Sequence, residues 1–223
     1  MSFPILLFAA GLGTRMGDMV ADKPKPLIKV GGKTLIDHAL DFTEIAPIRQ
    51  RVVNLHYKAD MIRDHLAGTD ILLSDETDQL LETGGGLQNA LSLLGKSPVA
   101  TMNTDAVWHG PNPLETITKA WRDDMEALLL TVPRAQVSGH LGKGDFFHNE
   151  KGQLYRGPGD IYTGVQIIRT EALANIADTV FSMNIVWDQI AARGGLFGVR
   201  YDGQWCDVGQ PSSIPLAEAM LHV

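Results

Sequence analysis

The chain has 223 residues, 44% of them hydrophobic, and a formal net charge of −7. This length suits one sizeable α/β domain, and the acidic balance excludes a general nucleic-acid surface, because phosphate backbones are bound chiefly through Lys and Arg. The apolar run Ile5 to Ala10 follows no basic leader and is far shorter than the roughly 20 residues that span a bilayer, so we expect a cytoplasmic protein without membrane or nucleic-acid partners.

Short apolar runs alternate with helical stretches along the chain, which predicts a mainly parallel sheet with helices on both faces. Thr34 and Asp37 have the spacing of a capping box and mark the first helix. In chain order the predicted elements are strand 3–10, helix 34–43, strand 51–55, helix 58–67, strand 70–74, helix 87–94, strand 99–103, a helix from Pro113, strands 127–132 and 163–168, helices 172–176 and 185–192, strand 196–201 and a helix from Pro211.

Residues 134–159 interrupt this alternation. Glycine, charged and aromatic residues mix there without a sustained helical period, which predicts hairpins and loops over one end of the sheet. Internal repeats, linkers and low-complexity segments are absent from the sequence. We therefore expect a single domain over 1–223 with a small β-rich lobe over 134–165.

A glycine-rich turn leaves the first predicted strand in the run Phe8-Ala-Ala-Gly-Leu-Gly-Thr-Arg-Met-Gly17. Its glycines at positions 11 and 13 allow main-chain amides to approach and bind an anion, and Arg15 adds a planar phosphate donor. Two other phosphate motifs do not fit, since Met16 replaces the third glycine of the dinucleotide fingerprint and Leu27 replaces the first glycine of a Walker loop. Taken alone, the turn is also explained as a tight strand-to-helix connection without a ligand.

A basic segment, Lys23-Pro-Lys-Pro-Leu27, follows the glycine-rich turn. Its two prolines hold the backbone extended, so Lys25 has little freedom to fold away and is a candidate phosphate ligand; the alternative is a solvated basic loop. Together with Ala9-Ala-Gly-Leu-Gly-Thr-Arg-Met16, this segment resembles the signature of the sugar-1-phosphate nucleotidyltransferases. The resemblance covers nearly the whole chain.

That resemblance implies a Rossmann-like, GT-A-like α/β fold with a small β-rich sugar-binding region. It implies a Mg²⁺-dependent enzyme that joins a nucleoside triphosphate to a sugar 1-phosphate and releases pyrophosphate. The overall resemblance favours UTP and N-acetylmuramate 1-phosphate, as used in cell-wall recycling, with guanylyl transfer to mannose 1-phosphate as the alternative. From other classes, a non-catalytic nucleotide-sensing domain on the same fold is a second hypothesis, whereas Met16 disfavours a nicotinamide oxidoreductase.

Further glycines and carboxylates along the chain are candidates for the rest of the site. The cluster Leu81-Glu-Thr-Gly-Gly-Gly-Leu87 stands between a predicted strand and a predicted helix, where it could lie flat against a planar ligand or form a flexible turn. Asn103-Thr-Asp105 ends a predicted strand, at the edge where open α/β sheets bind ligands, and Asp207 follows another. Two aspartates suit magnesium, which takes oxygen ligands, although each is also explained as a turn or helix-cap residue.

The family's functional residues match positions of this sequence. The resemblance implies catalytic roles for Arg15, Lys25 and Asp105 and metal ligation by Asp105 and Asp207. It implies nucleotide contacts at Ala10, Gly11, Gly13, Glu82, Gly84, Gly85 and Asn103, and sugar contacts at Asp145, Gly164 and Asn184. Lys143 and Arg156 are candidates to pair with the lactyl carboxylate of muramate, or are ordinary solvated residues. The histidines lack paired metal spacing and are interpreted as structural or surface residues.

Overall fold

A seven-stranded sheet forms the centre of the computed structural model, which describes residues 1–45 and 47–222. The strands are β1 (Phe3–Phe8), β2 (Lys29–Val30), β3 (Lys33–Thr34), β4 (Ile48–Leu55), β5 (Leu72–Asp75), β6 (Val99–Asn103), β7 (Ala106–His109), β8 (Ala127–Val132), β9 (Val137–Ser138), β10 (Phe146–His148), β11 (Leu154–Arg156), β12 (Ile161–Ile168), β13 (Leu196–Arg200) and β14 (Gln204–Asp207). The helices are α1 (Leu35–Asp41), α2 (Ala59–His65), α3 (Glu82–Leu94), α4 (Pro113–Ala120), α5 (Met183–Ala192) and α6 (Ser213–Leu221), with 3₁₀ turns at Thr14–Val20, Lys25–Leu27, Arg134–Gln136 and Thr170–Leu173.

The central sheet has the strand order β13-β8-β12-β6-β1-β4-β5. β1 pairs in parallel with β4 and β6, β4 with β5, and β8 with β13. β12 runs antiparallel to both of its neighbours, β6 and β8. A single antiparallel strand therefore interrupts an otherwise parallel sheet, which confirms the mainly parallel α/β fold predicted from the sequence.

Helices cover both faces of the sheet because side chains along each strand alternate in direction. In β1, Ile5 and Leu7 are fully buried on the face that carries α1, α2 and α4, while Leu6 is fully buried on the face that carries α3 and α5. α6 packs against β7 and β14 over a separate apolar cluster that includes Met16. Within the residues that the structure describes, no helix is long and apolar enough to cross a membrane.

The segment predicted as a β-rich lobe contains β9, the antiparallel hairpin β10–β11 and the start of β12. Phe146 and Leu154 of the hairpin are buried in the same apolar cluster as α5. On the outside of this contact, Arg156 donates hydrogen bonds to Asp188 Oδ1 (2.9 Å) and Asn184 Oδ1 (2.8 Å) of α5. The hairpin is thus anchored to the main core through α5.

The strands β2, β3, β7 and β14 were not predicted from the sequence, and two predicted helices differ from the structure. α3 begins at Glu82 rather than near Leu87, so the glycine cluster lies inside the first turns of the helix. Close packing accounts for these glycines, because a Cβ at Gly84 would lie 2.4 Å from the Phe181 ring and one at Gly85 2.2 Å from the Thr179 carbonyl oxygen. The predicted helix over 172–176 is the short 3₁₀ turn Thr170–Leu173.

We predict that Thr34→Ala lowers the free energy of unfolding by about 1 kcal/mol. At the start of α1, Thr34 Oγ1 accepts the Asp37 amide (3.3 Å) and donates to Asp37 Oδ2 (2.6 Å), and alanine removes both bonds. Thr34→Ser keeps the hydroxyl and should retain most of the stability. Urea denaturation of the three proteins measures the difference, and equal stability of the alanine variant and the wild type would refute the contribution of the cap.

Candidate active site

A pocket of about 320 Å³ opens at the carboxyl ends of the parallel strands β1, β4 and β6. Its walls come from the glycine-rich turn after β1, from Lys25, from Asn54 and Asn103 at the ends of β4 and β6, from the segment before α3, and from Gly209. Open α/β sheets place ligand sites at this edge, where loops diverge from the strand ends. The glycine-rich turn and the basic segment around Lys25, both recognised in the sequence, therefore line the same pocket.

The glycine-rich turn packs directly against the basic segment. Gly13 has a φ of 64°, in the left-handed region that favours glycine, and a Cβ there would lie 2.9 Å from Lys25 Cβ. At Gly11 a Cβ would meet no described atom within 4 Å. Of the two glycines, Gly13 is thus the one that close packing requires. Arg15 follows in the 3₁₀ turn and its side chain is exposed to the pocket.

Lys25 and Asp105 form an ion pair in the pocket, with 2.7 Å between Lys25 Nζ and Asp105 Oδ2. Lys25 is only 8% exposed, and a buried ammonium needs such a partner to offset the loss of hydration. The sequence assigned these residues to different ligands, a phosphate for the lysine and a metal for the aspartate. The structure brings them into direct contact.

Asp207 lies beside Asp105 because β14 pairs antiparallel with β7, which starts immediately after Asp105. Asp207 is in register with Ala106, and the Val208 amide donates to the Asp105 carbonyl at 2.9 Å. Burial, and then the nearby Asp105 carboxylate, raise the pKa of the Asp207 carboxyl above its usual value. His140 Nδ1 lies 3.3 Å from Asp207 Oδ2.

The donor set around these aspartates fits a magnesium ion. Among residues 1–45 and 47–222, no three or more His, Cys, Asp or Glu side chains cluster as a complete metal cage. Magnesium is usually bound through one or two carboxylates, with substrate phosphates and waters as the remaining ligands. Asp105 and Asp207 supply that number of oxygen ligands, and a divalent cation would relieve the mutual repulsion that contributes to the raised pKa of Asp207.

A buried polar pair, Asn54 and Glu76, also lines the pocket and was missed in the sequence analysis. Asn54 Oδ1 accepts the amides of Ala9 (2.7 Å) and Ala10 (3.3 Å), and Asn54 Nδ2 donates to Glu76 Oε1 (2.8 Å). Glu76 Oε2 accepts the Leu81 amide just before α3 (3.4 Å). Both residues stand at or just after the ends of predicted strands, so the rule that pointed to Asn103 and Asp105 would also have found them.

The glycine cluster of α3 contributes less to the pocket surface than its sequence suggests. Glu82 lines the pocket with a φ of 61°, a strained conformation for a residue with a side chain. The amides of Gly84 and Gly85 instead donate to the Phe181 carbonyl oxygen at 2.9 and 3.1 Å, and neither residue lines the pocket. Nucleotide contacts by these two glycines stay a prediction.

Close contacts surround the carboxyl end of β6, where Asn103 and Thr104 lie. Gly164 has a φ of 86°, and a Cβ there would lie 2.7 Å from the Asn103 side chain. Next to Asn103, Thr104 Oγ1 donates to the Phe8 carbonyl oxygen at 2.7 Å. Gly164, predicted as a sugar contact, therefore allows the close approach of β12 to Asn103.

The other predicted sugar contacts lie outside the walls of this pocket. Asp145 Oδ2 accepts the Tyr162 amide at 2.9 Å and so fixes the start of β12. Asn184 is exposed and bonds Arg156, whereas Lys143 is exposed on the loop before β10. Roles of these residues in sugar binding stay predictions.

A family model and sequence comparisons show the family of this chain, and a structural comparison supports the fold. The family model described as MobA-like NTP transferase domain matches residues 5–198. The chain is 38% identical to N-acetylmuramate alpha-1-phosphate uridylyltransferase of Caulobacter vibrioides, over 97% of this chain and 96% of that protein, and 29% identical to the protein of the same name from Neisseria meningitidis, over 96% of each. The structural comparison finds a crystal structure of a putative glucose-1-phosphate thymidylyltransferase from Bacillus anthracis in complex with a sucrose. It superposes on this chain with a TM-score of 0.81 at 14% identity, and the match covers 98% of this chain and 94% of that one. This likeness supports the fold.

The buried Glu76 carboxyl gives a testable pH dependence of stability. Burial raises the pKa of this group, so the folded protein binds the proton more tightly than the unfolded chain, and wild-type stability falls as the pH rises through the folded-state pKa. Glu76→Gln keeps an acceptor for Asn54 and does not titrate. We predict that the difference in the free energy of unfolding, variant minus wild type, is largest near pH ~7 and decreases as the pH is lowered toward the ordinary pKa of a glutamate. Chemical denaturation at several pH values measures it, and a constant difference would contradict the raised pKa.

Proposed function

This chain belongs to the MobA-like NTP transferase domain family, and we propose that it transfers a nucleotidyl group from a nucleoside triphosphate to a sugar 1-phosphate, releasing pyrophosphate. The family expected from the motifs is confirmed. One arrangement carries the proposal: the carboxylates of Asp105 and Asp207 converge with the cationic Lys25 and Arg15 beside a glycine-rich turn. Such a site suits phosphate groups and a hard divalent cation.

The reaction depends on alignment more than on proton transfer. An oxygen of the sugar 1-phosphate attacks the α-phosphorus and forms the new P–O bond, while the bond from the α-phosphorus to the bridging oxygen breaks and pyrophosphate leaves in line. Because the attacking phosphate is already anionic near neutral pH, the step requires no protein base. Catalysis then consists of holding two anions together and neutralising the charge that develops.

Different groups in the pocket bind the triphosphate and the nucleoside. Arg15 and Lys25 hold the triphosphate as charged donors, and main-chain amides of the turn around Gly11 add neutral ones. Lys25 is oriented in advance, because its ammonium bonds Asp105 and its stem packs on Gly13. Glu82 and Asn103 are placed on the pocket wall, where they can meet the nucleoside.

Asp105 and Asp207 are the residues that would hold Mg²⁺. The ion, when bound, stabilises negative charge on the phosphoryl oxygens as a Lewis acid. A triphosphate oxygen can replace Asp105 as the partner of Lys25, which leaves the Asp105 carboxylate free as an oxygen ligand. Lys25 and Asp105 can thus pair with each other in the unliganded pocket and bind triphosphate and metal, respectively, in the liganded pocket.

For the substrates we propose UTP and N-acetylmuramate 1-phosphate, in the cytoplasm and as part of peptidoglycan recycling. Both relatives from Caulobacter and Neisseria carry this activity in their names and align over nearly their full length. The exposed Lys143 is available to pair with a lactyl carboxylate, whereas Arg156 already bonds Asp188 and Asn184. A non-catalytic nucleotide sensor is disfavoured, because binding alone does not require two paired carboxylates beside the phosphate donors.

Pyrophosphate release tests the reaction and its substrates together. The purified protein is incubated with Mg²⁺ and each common nucleoside triphosphate, against the 1-phosphates of N-acetylmuramate, N-acetylglucosamine, glucose and mannose. We expect release with UTP and N-acetylmuramate 1-phosphate. Release with GTP and mannose 1-phosphate would keep the reaction and change the substrates, whereas no release with any pair would support the nucleotide sensor.

We predict that Asp105→Asn lowers kcat by at least about a hundredfold, because the variant loses one carboxylate that stabilises the transition state through the metal. Its fold should persist, since asparagine is isosteric with aspartate and the nearby Asp207 carboxylate remains as a negative charge for Lys25. The exposed Asp202 lies outside the pocket, so Asp202→Asn is a matched control with unchanged turnover. Near-normal turnover of the folded Asp105 variant would remove this residue from the metal site.

A further inference from the structure

One histidine contacts the buried carboxylate of Asp207. His140 Nδ1 lies 3.3 Å from Asp207 Oδ2, and Asp207 is only 9% exposed. A carboxylate oxygen only accepts hydrogen bonds, so this contact is a hydrogen bond to the ionised Asp207 when Nδ1 is the protonated ring nitrogen. In that state His140 presents a fixed donor to one oxygen of the carboxylate.

The pairing of β9 with β14 positions His140 beside Asp207. β9 pairs in parallel with β14, with Val137 opposite Trp205 and Ser138 opposite Cys206, so the chain after β9 continues alongside Asp207. Gly139 has a φ of 72°, and a Cβ there would lie 2.3 Å from the Asp207 carbonyl oxygen. Only glycine permits this turn so close to β14.

The imidazole ring is held on two further sides. Its centroid lies 5.9 Å from that of Trp205. Gly142 leaves room for the ring edge, since a Cβ at that position would lie 2.3 Å from His140 Nε2. A donor on a ring packed in this way directs its hydrogen bond with little conformational freedom.

The second oxygen of Asp207 lies near Gly209, a residue of the pocket wall. A Cβ at Gly209 would lie 3.0 Å from Asp207 Oδ1 and 3.1 Å from the Arg15 guanidinium carbon, and both Gly209 and Arg15 line the pocket. His140 thus contacts Oδ2, whereas Oδ1 lies on the side of Gly209 and Arg15.

We propose that His140 is a positioning residue, which orients the Asp207 carboxylate so that Oδ1 is presented to a divalent cation in the pocket. The inference rests on the proposed function through the metal role of Asp207. Residues that hydrogen-bond a metal ligand from behind fix its orientation, and their loss weakens metal binding by about 10- to 100-fold. His140 acts through Asp207 and is not itself placed against the substrate.

Mn²⁺ binding, followed through the EPR signal of the free ion, tests the proposal without reference to turnover. His140→Leu keeps side-chain volume but removes the donor, and we expect its Kd for Mn²⁺ to rise about tenfold. His140→Asn replaces the donor with a side-chain amide and should restore most of the affinity. In an Asp207→Asn background, His140→Leu should have no further effect.

A matched control is available elsewhere in the fold. His148 Nε2 lies 3.3 Å from Asp160 Oδ2, the same type of contact at the same distance, outside the pocket walls. His148→Leu should leave Mn²⁺ affinity unchanged. If it weakens Mn²⁺ binding as much as His140→Leu does, the effect is a general loss of structure and the proposal is wrong.

Side-chain ¹⁵N NMR of the wild-type protein gives a second test that does not depend on the folding of any variant. The proposal requires a protonated Nδ1 on His140, with the signal assigned by its absence in His140→Asn. A neutral ring protonated only at Nε2 would overturn it, as would unchanged Mn²⁺ affinity in His140→Leu or no Mn²⁺ binding by the wild type. Failure of the proposed function is distinct, since it appears as no pyrophosphate release from wild-type protein with any substrate pair.

Discussion

Two like charges, on Asp105 and Asp207, are held side by side by the antiparallel pairing of β7 with β14. Their repulsion is unfavourable in a partly buried site unless positive charge or hydrogen-bond donors offset it. Lys25 bonds one carboxylate, and His140 contacts the other. The repulsion between the two carboxylates is therefore only partly offset by these donors. A divalent cation with its phosphates would relieve it further.

Glycines around the pocket serve mainly to bring segments into close contact. Gly13 lets Lys25 approach the turn after β1, and Gly164 lets β12 approach Asn103. Gly139 does the same for the loop that carries His140. In each case a side chain would collide with atoms that form the site, and a one-ångström displacement there would disturb charge alignment on which phosphoryl chemistry depends.

The buried pair of Asn54 and Glu76 connects two walls of the pocket through hydrogen bonds. Asn54 binds the amides at the end of β1, and Glu76 receives bonds from Asn54 and from the Leu81 amide before α3. The turn after β1 and the segment before α3 are thereby joined by one hydrogen-bonded network. Networks of this kind fix geometry, because each buried member would be costly to leave unpaired.

Periodicity and local chemistry determined the mainly parallel sheet, the cap of α1 at Thr34 and the glycine-rich turn with Lys25, since these depend on residues close together in the sequence. The motifs also determined the family. Only the tertiary structure decided that Lys25 bonds Asp105, that His140 contacts Asp207, and that the glycines of α3 are packing residues, because these contacts join segments far apart in the chain. Whether a glycine faces a ligand or a neighbouring ring depends on which segment packs against it, and local sequence does not carry that information.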